Sequence, residues 1–147
     1  MKLLTTLAIF LIPMICFGQE AKNEIKPSIV TLFENYTPEN SELINEQEAR
    51  LLKELLSESG TSYDFFHKKV VFVSGSTGST LVDKKSFFQS NQSYIIKHGE
   101  KVSNIGYVVL DKAKWKTCYD AIVFFWVKVP GLIPTKNLRQ RLDNSCD

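Results

Sequence analysis

Histidine and cysteine are scarce in this sequence: its 147 residues include two histidines and three cysteines. Because a zinc site draws three or four ligands largely from these residue types, we expect no metal site. The sequence also lacks an excess of charge of one sign, since 18 lysines and arginines face 16 aspartates and glutamates. A large basic surplus is typical of proteins that bind nucleic acid. The composition therefore predicts neither a metal ion nor a nucleic acid partner.

Long apolar runs are lacking beyond the N-terminus. There, Lys2 precedes an apolar stretch over residues 3–17, and small and then polar residues follow. This order is typical of a secretory signal peptide, so we predict one over residues 1–18, cleaved after Gly18. A membrane anchor is the alternative. A span needs about 20 apolar residues, however, and Pro13 interrupts this shorter run.

Lipidation of Cys16 is a second alternative to simple cleavage. A lipidated cysteine needs a small residue directly before it, and Ile15 is large and branched. We therefore predict an exported protein, periplasmic or extracellular, without a lipid anchor. The mature chain is expected to contain no transmembrane segment.

Two cysteines, Cys118 and Cys146, remain after the predicted cleavage. In an oxidising compartment an isolated pair is a disulfide candidate. The bridge would stabilise the fold by about 3–4 kcal/mol in the chain-entropy model. Two separate thiols are the alternative, because sequence does not show whether the Cα atoms lie close enough.

The mature chain of roughly 130 residues has the length of one domain. Residues 19–36 are expected to form a polar lead-in, with a short strand or an irregular arm at residues 28–33. Residues 37–147 are expected to form a single α+β domain. Its clearest element is a helix that begins at Asn45, where Glu48 can complete a capping box. Four leucines then share one helical face (Leu51, Leu52, Leu55 and Leu56).

Most of the remaining pattern predicts strands. Short apolar, β-branched runs occupy residues 69–73, 107–110 and 121–127, with Gly106 a plausible bulge. His98 and Gly99 indicate a tight hairpin between residues 93–97 and 100–105, and residues 135–142 indicate a short helix. The predicted fold is thus a small, mainly antiparallel β-sheet packed by an N-terminal amphipathic helix and a short C-terminal helix.

The most conspicuous polar segment follows the strand at residues 69–73. Its glycines free backbone N–H groups to face an anion, and its hydroxyls add donors. We therefore predict a small anionic or sugar ligand here; the residues concerned are Ser74, Gly75, Ser76, Thr77, Gly78 and Ser79. A flexible connection without a ligand is the alternative.

Known nucleotide-binding signatures do not fit this segment. A dinucleotide fingerprint requires a third glycine where Leu81 stands, and the Gly-Lys-Ser/Thr of a phosphate-binding loop is absent. No cofactor is therefore predicted.

A second candidate binding residue is Trp115, which stands among Lys112, Lys114 and Lys116. An exposed tryptophan flanked by cations can stack on a sugar or anchor a protein partner. The alternative places the ring in the core, with the lysines solvating a loop.

Catalytic residues are not assigned. Asp64, Asp83, Asp111 and Asp120 lie near strand ends, but their spacing singles out no pair. The leading hypothesis is a small, exported, non-catalytic binding or interaction module. One alternative is a small secreted hydrolase-like enzyme that uses carboxylates or hydroxyls near residues 74–80. Another is a structural or inhibitory envelope protein with an unknown protein partner.

Overall fold

A computed structural model describes residues 27–75, 79–102 and 104–125, together with Leu142 and Cys146. Four helices and four strands form an α+β fold in the described part of the chain. In chain order these are α1 (Ile29–Glu34), α2 (Glu46–Leu55), β1 (Val70–Gly75), β2 (Ser79–Val82), α3 (Lys84–His98), β3 (Ile105–Val109), α4 (Lys112–Trp115) and β4 (Ala121–Phe125). A short 3₁₀ turn, Ser57–Ser59, follows α2.

The four strands form one mixed sheet in the order β2-β1-β4-β3. β1 pairs antiparallel with β2 and parallel with β4, whereas β3 pairs antiparallel with β4. The prediction of a mainly antiparallel sheet is therefore wrong. The last strand inserts between β1 and β3, and this long-range parallel pairing leaves no local mark in the sequence.

Helix α2 confirms the predicted capping box. The Asn45 side chain accepts a hydrogen bond from the Glu48 N–H at 2.8 Å, and the Glu48 carboxylate accepts one from the Asn45 N–H at 3.0 Å. The leucines of the predicted apolar face are buried. After the 3₁₀ turn, Gly60 adopts a left-handed conformation and ends the helical segment.

The predicted hairpin around His98 and Gly99 is wrong, because α3 runs unbroken through residues 84–98. Asp83 caps its start by accepting from the Ser86 N–H, and Gly99 ends it in a left-handed conformation with φ 76°. Phe87, Phe88, Asn91 and Ile95 form its buried face. Tyr94 packs partly buried at the edge of that face, whereas the apolar residue Ile96 is 48% exposed and blurs the helical period. A helix-ending glycine was thus interpreted as a turn glycine.

Two further segments differ from the predictions. Residues 28–33 are helical rather than extended: Ser28 accepts from the Thr31 N–H at 3.2 Å, and Phe33 is fully buried. Gly106 lies within a regular ladder opposite Phe124 and forms no bulge. The predicted C-terminal helix at residues 135–142 lies outside the described residues except for Leu142.

Aromatic side chains fill the core between the helices and one face of the sheet. The Phe72 and Phe87 rings stack with centroids 4.3 Å apart, and Phe88 and Phe125 pack edge-on against Phe87. Full burial of one such side chain contributes about 1.5–3 kcal/mol. A smaller apolar cluster covers the second face of the sheet (Val71, Val73, Leu81, Leu110, Tyr119 and Leu142).

Candidate functional site

The strand directions place the two sequence-predicted surfaces at opposite ends of the sheet. β1 and β4 are parallel and begin beside each other, at Val70 and Ala121. We call this end of the sheet the Lys69 end. Trp115 lies in the connection between β3 and β4, which crosses the Lys69 end. Gly75 and Ser79 pair at the other end, roughly 17 Å away along β1.

A groove of about 420 Å³ opens at the Lys69 end. Its lining comes from residues 39–42, the start of β1 with Lys69 (residues 69–72), residues 81–85 and Tyr119. The apolar part of the lining comes from β1 and β2 (Val70, Val71, Phe72, Leu81 and Val82). The loop at residues 39–42 forms a polar wall. A concave site that combines apolar side chains with a few polar groups is the usual construction of a small-molecule site.

Lys69 organises one wall of this groove. Its Nζ lies 3.0 Å from Glu42 Oε2 and 5.1 Å from the centroid of the Tyr119 ring. Its backbone is fixed as well: the Lys69 N–H donates to Asp120 Oδ2 at 2.8 Å, and the Asp120 N–H donates to the Lys69 carbonyl at 2.8 Å. Glu42 and Tyr119 therefore hold the side chain at the groove, and Asp120 fixes the backbone beneath it.

A buried ion pair lies beside the groove. Lys84 Nζ lies 2.7 Å from Glu48 Oε2 and 3.1 Å from the Leu43 carbonyl oxygen. The Tyr36 hydroxyl donates to Glu48 Oε1 at 3.2 Å. Burial, together with the charge and hydrogen bond of Glu48, raises the pKa of Tyr36 well above its ordinary value. Tyr36 and Lys84 thus both donate to the Glu48 carboxylate.

The charges that line the groove balance. Lys69, Lys84 and Lys85 are cationic, and Glu39, Glu42 and Asp83 are anionic. Two of the lysines are already in ion pairs with Glu42 and Glu48. The charges that remain are Lys85 against Glu39 and Asp83, so the groove has no excess of cations to attract an anion and suits an uncharged or zwitterionic ligand.

Trp115 is 52% exposed, so the alternative that places its ring in the core is wrong. It ends the short helix α4, which Asp111 caps by accepting from the N–H groups of Ala113 and Lys114 at 3.1 and 3.2 Å. Of the neighbouring lysines, Lys112 pairs with Asp120 at 2.8 Å. What the exposed ring binds stays a prediction.

The polar segment at residues 74–79 is not one loop. Ser74 and Gly75 belong to β1, and Ser79 belongs to β2, so the segment closes a β-hairpin. The Ser74 side chain is 1% exposed, which removes it from the accessible surface. Ser76, Thr77 and Gly78 lie outside the described residues. Ligand binding here stays a prediction for the rest of the segment.

The four aspartates near strand ends all accept backbone hydrogen bonds. Asp83 and Asp111 cap helices, and Asp64 accepts from the Phe66 N–H at 2.9 Å. Asp120 accepts from Lys69, as described above. Burial acts to raise the pKa values of Asp83 and Asp120, but hydrogen bonds and nearby lysines outweigh it and lower both. Each of the four carboxylates thus has a structural role as a hydrogen-bond acceptor for the backbone.

Sequence reasoning missed the groove. Its residues come from four segments, and each has a local explanation as a strand, cap or loop residue. The only available signal was the concentration of charged residues beside the ends of apolar strands, as at Lys68–Lys69 and Asp83–Lys85. Strand order was needed to bring these segments together.

The described residues show neither a membrane-spanning helix nor a cluster of metal ligands. No described helix has the length and apolar character needed to cross a membrane. Among the same residues, histidine, cysteine, aspartate and glutamate side chains form no group of three or more that could hold a metal ion.

Fold and groove together define a small α+β domain with a mixed four-stranded sheet and a half-open cleft at one sheet end. A family model described as a domain of unknown function, DUF8192, matches residues 40–144, and the chain belongs to this family. Neither the curated proteins nor the solved structures contain a match to the chain.

Proposed function

We propose that this protein is a non-catalytic binding module that acts after export and takes an uncharged or zwitterionic small molecule in the groove. The observation that carries the proposal is a groove whose lining combines Val71, Leu81 and their apolar neighbours with polar residues that include no excess of cations. The volume of about 420 Å³ falls within the range of known ligand sites.

The location of the groove supports the same proposal. Loop residues 39–42 contribute polar side chains to the groove, and β1 and β2 contribute apolar ones. Trp115 lies in a connection at the same end of the sheet and is a candidate for a second, aromatic contact with a larger ligand.

An NMR titration tests the ligand class. The ¹⁵N-labelled mature chain is titrated with glycyl-leucine, with glucose and with inorganic phosphate. We expect glycyl-leucine or glucose to shift the amide signals of Val71 and Leu81, and phosphate to leave them unchanged. Phosphate shifts confined to Gly75 and Ser79 would instead favour the anion site predicted from the glycine-rich segment.

Two tryptophan variants localise the binding. Asn40 is exposed and lines the groove, so Asn40→Trp places a large ring over the opening. Gln89 is exposed on α3 and is absent from the groove lining, so Gln89→Trp is the matched control. We expect Asn40→Trp, but not Gln89→Trp, to abolish the ligand-induced amide shifts. Equal loss of these shifts in both variants would contradict the assignment of binding to the groove.

The same samples separate a binding module from a hydrolase. Glycyl-leucine that persists unchanged over days is the expected result, whereas its cleavage to glycine and leucine would favour the hydrolase alternative.

A native mass spectrum of protein from its own host tests export, with a chain that begins at Gln19 as the expected species. A second protein chain in that spectrum would favour the structural or inhibitory alternative.

A further inference from the structure

Strand β3 forms an edge of the sheet. Within the described residues it pairs with β4 and with no other strand. The Leu110 N–H donates to the Asp120 carbonyl at 2.9 Å, so the backbone of residue 110 points towards β4. Because backbone groups alternate along a strand, those of Tyr107 and Val109 point away from the sheet. The hydrogen bond from Ser59 Oγ to the outward Ile105 carbonyl, at 3.2 Å, agrees with this direction.

The outward groups of Tyr107 and Val109 have no hydrogen-bond partner in the described part of the chain. The side chains of Val108 and Val109 are 51% and 50% exposed. Natural edge strands are usually protected by charged residues, proline or a bulge. β3 has the sequence Ile-Gly-Tyr-Val-Val and a regular ladder, so it has none of these protections.

We infer that the β3 edge pairs with the β3 edge of a second copy of this chain. The pairing is antiparallel about a twofold axis at Val108, so that Val108 lies opposite its equivalent and Tyr107 lies opposite Val109 of the other copy. This register uses the two open residues of each copy and forms about four main-chain hydrogen bonds. It leaves Ile105, whose carbonyl Ser59 already occupies, outside the contact.

Side-chain chemistry favours a second copy as the occupant. No side chain of β3 is charged, so two copies meet without repulsion. Val108 shares a sheet face with its neighbour Ile122 on β4. In the dimer, Ile122 and Val108 of both copies would form one continuous apolar surface across the interface. On the other face, Val109 would meet Tyr107, whose ring already packs against Phe65 with centroids 5.5 Å apart.

The contact is small compared with a standard protein interface. The dimer is therefore expected to be weak and to depend on protein concentration. Groove binding and edge pairing involve different residues, so the failure of one leaves the other unaffected.

Sedimentation of the mature chain from about 10 µM to about 1 mM tests the pairing. We expect a monomer–dimer equilibrium, together with rising protection of the Tyr107 and Val109 amide hydrogens from exchange as concentration increases. Val108→Lys places two ammonium groups opposite each other and should weaken the dimer at least tenfold. Val109→Pro removes an outward N–H without removing a β3–β4 hydrogen bond, and should act likewise.

The matched control is Ile96→Lys. Ile96 is 48% exposed on α3, so the substitution makes the same chemical change at similar exposure away from the edge. Ile96→Lys and the groove variant Asn40→Trp should leave the dimer unchanged. Circular dichroism and urea denaturation establish that each variant is folded.

Three outcomes would overturn the inference. The first is a wild-type chain that stays monomeric at about 1 mM. The second is a dimer that persists unchanged in both Val108→Lys and Val109→Pro. The third is a monomeric wild-type chain that loses a different protein partner in Val109→Pro, since this would assign the edge to that partner.

Discussion

Lys84 Nζ lies 2.7 Å from Glu48 Oε2 and joins the first turn of α3 to the first turn of α2 beneath the groove. The Glu48 side chain is fully buried, and it also receives hydrogen bonds from Tyr36 and from the Asn45 backbone. The Glu48 carboxylate thus caps α2 through the Asn45 N–H, accepts from Tyr36 in the segment before α2, and pairs with Lys84 at the start of α3.

Replacement of Lys84 by methionine should destabilise the fold strongly. It leaves the Glu48 carboxylate buried without its cation, and such a change costs about 3–5 kcal/mol. Urea denaturation measures the loss in the free energy of unfolding. The double variant Lys84→Met/Glu48→Gln should recover part of it because no charge is then buried. The control Lys85→Met, at an exposed position, should change the free energy of unfolding by less than about 0.5 kcal/mol. Similar losses of stability in Lys84→Met and Lys85→Met would contradict the role of the ion pair.

Asp120→Asn should reduce stability in a pH-dependent way. Burial opposes the charged form of Asp120, but hydrogen bonds from Lys112 and the Lys69 N–H and the charges of nearby lysines lower its pKa in the folded state. The stabilisation is therefore present above the unfolded pKa of about 3.9 and is lost as the pH falls through the lower folded pKa. We expect the variant to be about 1–2 kcal/mol less stable near pH 7. The difference from wild type should shrink steadily as the pH falls below the unfolded pKa, and a difference that does not depend on pH would contradict this origin.

Gly106→Ala should strain the second face of the sheet. A Cβ atom at Gly106 would overlap Cζ and Cε2 of the Phe124 ring, so the ring must move. We expect a loss of about 1–2 kcal/mol in the free energy of unfolding. In a Phe124→Leu background the same substitution should cost much less, because the overlapping ring atoms are gone. Equal costs in the two backgrounds would show that the ring is not the cause.

Cys146→Ser tests the cysteine pair. The Cα atoms of Cys118 and Cys146 lie 5.2 Å apart, at disulfide distance, and the residues are separated by 28 positions. We expect the oxidised wild type to weigh about 2 Da less than its reduced form. We also expect the variant to lose about 3–4 kcal/mol. The double variant Cys118→Ser/Cys146→Ser should match the single one, and a wild-type mass equal to that of the dithiol would contradict the bridge.

Several features followed from local patterns. The α2 capping box is readable because Asn45 and Glu48 are three residues apart and satisfy each other's backbone groups. β1 and β4 are readable because short runs of branched and aromatic residues favour extended backbone. The same local reasoning failed at Gly99, which can end a helix or turn a hairpin. Asp83, as a cap 16 positions upstream, was the signal that distinguishes the two.

The sequence by itself determined the helical start at Asn45, the two apolar strands and the identity of the cysteine pair, since each depends on residues that are close in the chain or few in number. Tertiary structure alone decided that β4 lies between β1 and β3, that Trp115 is exposed and that four distant segments enclose one groove. Those outcomes depend on which long-range contacts bury the most apolar surface at the lowest cost in chain entropy. That balance is a property of the whole chain, so no single segment of the sequence determines the strand order or the groove.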